Sequence, residues 1–139
     1  MDLFNDEHYA DPTPKQAISL IQAQKETANK YRPLAYICSP FSGNVLENIK
    51  NARRYSRFAF EQGYIPLAPH LLFPQFLDDA KPEERALGLH FGNVLMSFCR
   101  EVLVFGDNIS PGMEAEIRRA RWKNYRLRFF HDNFEEEQR

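Results

Sequence analysis

The sequence is poor in cysteine, has no long hydrophobic run and carries almost no net charge, and each shortage removes a class of explanation. Its two cysteines, Cys38 and Cys99, form no C-x-x-C pair. With no secretory context they read as reduced thiols, not as a disulfide framework. The four histidines, His8, His70, His90 and His131, share no ligand-like spacing, so no metal site is expected. No stretch resembles a signal h-region or a membrane span, and a cytoplasmic protein without membrane contact is the expectation. The formal net charge is −1, from 18 Lys and Arg against 19 Asp and Glu. A protein that tracks a nucleic-acid polymer shows a basic excess, which is lacking here. The local clusters Arg53-Arg54, Arg57 and Arg118 to Arg128 read as solvated helix faces.

What is present is the composition of one globular domain. The 139 residues, 43% of them hydrophobic, suffice to bury about two thirds of the surface that the unfolded chain exposes. Aromatic residues at 14% imply a bulky core or an aromatic-lined pocket. Residues 1–32 read as a loose arm (1 to 12) and a helix from Thr13-Pro14 to about Lys30, whose thin apolar stripe (Ala17, Ile18, Ile21, Ala28) suits packing on the domain surface or on another subunit. The core domain spans 33–131 and an acidic tail 132–139. Within the core, Leu34 to Cys38 is a buried strand ending in the turn Ser39-Pro40-Phe41-Ser42-Gly43. A helix follows from Asn44 to Gln62, with Val45, Leu46, Ile49, Ala52, Ala59 and Phe60 at helical spacing and Gly63 as its C′ residue. Tyr64 to Leu67 is a second strand, which Pro66 and Pro69 push toward a sheet edge. Ala68 to Pro74 is too rich in proline to be regular.

A third core helix runs from Pro82 to about Cys99, with Leu87, Phe91, Val94, Leu95 and Phe98 as its buried face and His90, Asn93 and Ser97 as a polar stripe beside it. Gly88 and Gly92 bare another side, where a second copy would approach, so a homodimer or higher homo-oligomer is expected. Glu101 to Phe105 is strand three, Pro111 to Trp122 a helix, and Tyr125 to Phe129 the last strand. Short apolar strands alternating with helices predict an α/β fold, a flavodoxin- or Rossmann-like three-layer sandwich with a parallel sheet of four to five strands. Such sheets bind ligands outside the carboxyl ends of their strands. Ser39 to Gly43, Pro69-His70 and Asp107 to Gly112 therefore share one rim.

On that rim the segment Ser110-Pro111-Gly112-Met113-Glu114-Ala115-Glu116-Ile117 stands out. Ser110 suits the N-cap, Pro111 the first helical position, and Gly112 lets a ligand near the free N–H groups that attract anions. At roughly 100° per residue, Met113, Ile117 and Ala120 face the sheet and Glu116 lies at the edge of their arc. The plainer reading pairs Glu116 with Arg119 or Lys123 on the helix surface, worth about 0.2–0.5 kcal/mol. Tyr36, likewise, is by itself an ordinary core tyrosine.

Three pieces covering about residues 34 to 130 resemble the nucleoside 2-deoxyribosyltransferase family, with its relatives that hydrolyse deoxynucleoside monophosphates. These are Tyr36 with the loop Ser39 to Gly43; Ser110, Gly112, Glu116, Ile117 and Ala120; and Gly63-Tyr64-x-Pro66 with Pro69-His70. The resemblance implies that Glu116 attacks C1′ of a 2-deoxyribosyl group, that Tyr36 orients it, and that water or a second base resolves the ester. It further implies that Ser110 and the N–H groups near Gly112 hold a 5′-hydroxyl or 5′-phosphate, with Ser42 and Gly43 opposite and Asp107 near a sugar hydroxyl. The partner is then a small nucleoside or nucleotide, with no cofactor. One departure is plain: the family's aspartate, eight residues before Glu101, is Asn93 here. An amide supplies no proton to a leaving base. His90 is a substitute, and a nucleotide-binding module without turnover is the competing reading.

Overall fold

The computed structural model describes residues 13–139; the arm expected over 1 to 12 lies outside them. The chain divides into two compact units, residues 1–31 and 32–139. In the first, helix α1 (Pro14–Asn29) starts with a reciprocal cap: Thr13 N donates to Gln16 Oε1 at 2.9 Å and Gln16 N to Thr13 Oγ1 at 3.2 Å. This Thr-x-x-Gln pattern satisfies two N–H groups that the helix itself leaves unpaired.

The second unit is built on β1 (Leu34–Cys38), β2 (Ile65–Leu67), β3 (Glu101–Phe105), β4 (Arg126–Phe130) and β5 (Glu136–Glu137), in the sheet order β2-β1-β3-β4-β5. The first four strands are parallel, and β5 joins β4 antiparallel. Pro66, which has no N–H to donate, sits in the edge strand β2. The connecting helices are α2 (Val45–Glu61), the single turn α3 (Pro69–Leu72), α4 (Pro82–Met96) and α5 (Pro111–Trp122). The expected three-layer α/β arrangement is observed. Alternate residues of β1 and β3 split the core, as the pleat requires. Ala35, Ile37, Leu103 and Phe105 pack with Tyr55 and Ala59 of α2 on one face. Tyr36, Cys38, Val102 and Val104 pack with Met96 of α4 and with Met113, Ile117 and Ala120 of α5 on the other. Full burial of side chains the size of Ile37, Leu103 or Phe105 is worth about 1.5–3 kcal/mol each.

Four readings of the sequence are corrected. In α2 the buried residues are Ala52, Tyr55 and Ala59, whereas Leu46 is 82% exposed and Phe60 42%. In α4 the buried residues are Gly92 and Met96, and Leu87, Val94 and Phe98 are exposed. The reason is space. A Cβ added to Gly92 would lie 3.2 Å from the Tyr36 hydroxyl, so the helix comes down on β1 through its glycine side, and the larger side chains are turned outward. That side therefore no longer argues for an interface between copies. Residues 69–75 are helical, as α3 and a following 3-10 turn, because Pro69 and Pro74 occupy early helical positions where no N–H is needed. Finally, Glu136 and Glu137 form a strand within the expected acidic tail, where Arg128 Nη2 meets Glu136 Oε1 at 2.7 Å.

Candidate active site

The chain leaves β1 for β2 on one side and then returns to place β3 on the other. The carboxyl ends of β1 and β3 thus form the switch point at which open α/β sheets leave a crevice. Ser39 follows β1 there, and the segment from Asp107 to Ser110 follows β3. Ser110 caps α5 as its residue type predicts, with φ −76° and ψ 163°, its Oγ accepting from Met113 N at 3.3 Å. Capping fixes the rotation of α5, and rotation aims Glu116. Met113, Ile117 and Ala120 enter the core, while Glu116 is half-buried with its Oε2 out of solvent and without a hydrogen-bond partner among the described residues. No ion pair joins Glu116 to Arg119 or Lys123 among the described residues.

Facing it are two side chains of β1. Tyr36 is 3% exposed, and its hydroxyl is near enough to Glu116 for each group to shift the proton affinity of the other. Cys38 is buried beside them, its Sγ 3.9 Å from the Met113 carbonyl. Burial pushes the Glu116 carboxyl up from the ordinary 4.5 to about 7, and the Tyr36 hydroxyl opposes part of that rise by favouring the charged form. Burial, and then the nearby Glu116, raise both the Tyr36 hydroxyl and the Cys38 thiol well above their usual ranges. The thiol is therefore protonated and unreactive. The tyrosine remains a neutral donor.

The loop after β1 is held from both sides. Asn48 Nδ2 donates to the carbonyls of Phe41 (2.9 Å) and Ser42 (3.0 Å). His70 Nε2 lies 3.0 Å from the Ser39 carbonyl, and its ring stacks on Phe41 at 4.8 Å and 14°. Ser39, Phe41 and His70 are thus brought together, with Pro40 between them. Ser39 is 2% exposed and its Oγ has no hydrogen-bond partner among the described residues. Ser42 and Gly43 are exposed at the tip, where Gly43 adopts φ +96°. Gly112 faces open space, since a Cβ there would touch nothing within 4 Å. Asp107 is exposed and pairs with His131 Nδ1 at 2.8 Å, which holds its carboxyl below the usual range. That pair stands on the β4 side of the rim. On α4, Asn93 is half-buried and His90 exposed. At 100° per residue His90 lies about 160° around α4 from Gly92, turned away from Tyr36.

These residues fall within a recognised family. Residues 33–130 match a domain of unknown function, DUF7768. The chain belongs to the DUF7768 family. Among solved structures, its fold is similar to that of a 2-deoxyribosyltransferase from the psychrotolerant bacterium Bacillus psychrosaccharolyticus, with a TM-score of 0.60 and 16% identity over 70% of this chain and 72% of that one. At that identity the likeness is one of fold. No curated protein matches.

In chemical terms, this DUF7768 domain presents a carboxylate with a proton affinity near neutrality, one buried unpaired oxygen and a neutral phenol beside it. Such a group can act as a nucleophile when ionised or as an acid when protonated. Gly92 was missed as a site residue because glycine spacing in a helix carries the same signal for any close approach. His131 was missed because nothing in the sequence ties it to Asp107, 24 residues away.

Proposed function

We propose that this protein breaks the N-glycosidic bond of a 2′-deoxynucleoside or its 5′-monophosphate through Glu116. The observation that carries the reading is the buried, unpartnered Oε2 of Glu116 beside Tyr36, at the switch point of the sheet. An oxygen of the ionised carboxylate attacks C1′, and the C1′–N bond breaks with its electron pair going to the base. The resulting ester is opened by water, giving free sugar, or by the nitrogen of a second base, giving a new nucleoside. Tyr36 donates to the carboxylate and holds its direction. The open N-terminus of α5, at Ser110 and Gly112, receives the 5′ group. The likeness in fold to a 2-deoxyribosyltransferase supports this substrate class.

A second reading has its own support. Position 93 is an amide and His90 is exposed, so neither of these two residues supplies a proton to the departing base from within the site. A nucleotide-binding module with slow or absent turnover fits those two facts. Incubation with each deoxynucleoside and each 5′-monophosphate, followed by chromatography of free base, separates the two. Base release that is lost in Glu116→Ala and rises with pH through about 7, as Glu116 ionises, supports the enzyme. Saturable binding with no release by the wild type refutes it in favour of the module.

A further inference from the structure

A cleft of about 370 Å³ opens between α2 and residues 69–75, lined by Ile49, Arg53, His70, Leu71, Pro74 and Gln75. Small-molecule sites run from about 300 to 1,000 Å³ and are mostly apolar with a few placed polar groups. This one lies within that size range, with three apolar residues (Ile49, Leu71 and Pro74) and three polar ones (Arg53, His70 and Gln75). It lies on the α2 side of the sheet, whereas Glu116 sits on α5 on the other side, and it meets the rim loop only through His70.

Arg53 supplies the charge. Its neighbours on α2 are engaged: Arg54 Nη2 donates to the Asp132 carbonyl at 3.2 Å, and Arg57 Nε pairs with Glu61 at 3.0 Å. Arg53 has no ion pair or hydrogen bond among the described residues. His70 adds no second charge. The Ser39 carbonyl can only accept, so Nε2 carries the proton, and burial lowers the affinity of the ring for another. The carboxylate influence on His70, from Asp79, is the smallest of the three effects on it. One cation therefore stands over an apolar floor of Ile49, Leu71 and Pro74, beside a flat neutral ring.

We propose that this cleft binds a small organic monoanion with a flat apolar body, and that His70 passes its occupancy to the loop from Ser39 to Gly43. A single guanidinium matches a single carboxylate, and the neutral imidazole and the aliphatic floor match the body. The link to the loop is the His70 ring itself, stacked on Phe41 and bonded to the Ser39 carbonyl.

The test uses the full chain, with benzoate as probe, benzamide as its neutral counterpart and acetate as an anion without a body. Benzoate is expected to shift the methyl NMR signals of Ile49 and Leu71 saturably, together with the amide of Phe41. Arg53→Gln should weaken benzoate about two- to fivefold, the range of an exposed ion pair, and leave benzamide unchanged. Absence of saturable methyl shifts, equal benzoate affinity in the variant, or acetate binding as well as benzoate each overturns the site. Shifts confined to the cleft, with Phe41 unmoved, overturn the link to the loop. None of these readouts depends on a reaction at Glu116.

Discussion

Replacing Glu116 by glutamine should stabilise the protein at high pH and lose that advantage at low pH. The carboxyl of Glu116 is raised from 4.5 to about 7 by burial, so the folded state binds its proton more tightly than the unfolded chain does. Below about pH 4.5 both states are protonated, and the residue exerts no pH-dependent penalty. As the pH rises, the unfolded chain ionises first and folding becomes less favourable. The loss is complete once the pH passes the folded value near 7. A rise from 4.5 to about 7, at 1.36 kcal/mol per unit, amounts to about 3 kcal/mol. Glutamine does not titrate, so any constant cost of its amide in the same space cancels when two pH values are compared. Urea denaturation of wild type and Glu116→Gln at about pH 4 and about pH 9 should therefore give stability differences that diverge by about 3 kcal/mol, or roughly 10 °C in Tm for a chain of this size. A difference that stays constant across that range would show that Glu116 is not desolvated and would remove the physical basis for its chemistry.

Two further substitutions probe the same carboxylate. Tyr36→Phe removes the hydroxyl that favours the charged form, so the Glu116 titration followed by carbon NMR should move upward; a downward move contradicts the pairing. Gly92→Ala places a methyl 3.2 Å from the Tyr36 hydroxyl. Overpacking of about 1–3 kcal/mol then exceeds the gain of about 1 kcal/mol for alanine over glycine in a helix. The expected result is a less stable protein with the Glu116 titration shifted upward, and a more stable protein with an unchanged titration would show that α4 does not constrain Tyr36.

Where one signal dominated, the sequence was legible to the residue. Apolar runs marked Leu34–Cys38 and Glu101–Phe105, and Ser110-Pro111 marked the start of Pro111–Trp122. The arc containing Met113, Ile117 and Ala120 was correct, and with it the edge position of Glu116. The face of α4 was not legible, because apolar residues occur around most of that helix and periodicity cannot choose among them. The choice is made by the Tyr36 hydroxyl, from which a Cβ at position 92 would lie only 3.2 Å. The same holds for α2, where Tyr55 reaches the core because its hydroxyl finds Asp132 Oδ1 at 2.7 Å, 77 residues away. Strand β5 was invisible because two glutamates have no strand preference of their own; Arg128 and the open edge of β4 supply it.

Away from the carboxyl end of β1 and the start of α5, polar groups in the core find partners. The Tyr55 hydroxyl has Asp132, the Tyr64 hydroxyl has Arg128 at 2.8 Å, and Glu101, which also keeps one buried oxygen free, pairs its other oxygen with Arg126 at 3.0 Å. At the switch point the pattern reverses: Oγ of Ser39 and Oε2 of Glu116 are both buried and unpaired, with no cation joined to the carboxylate among the described residues. A leucine in place of Glu116 would avoid the desolvation, and a chain built for stability alone would use one there. Glycine at 92 adds a cost of about 1 kcal/mol relative to alanine within a helix, and what it secures is the position of the Tyr36 hydroxyl. Two stability costs thus converge on one carboxylate and its donor. That is the distribution expected when strain and unsatisfied polarity are retained for chemistry, and it is why Glu116, rather than the better-paired Asp107, is the residue on which the functional reading stands.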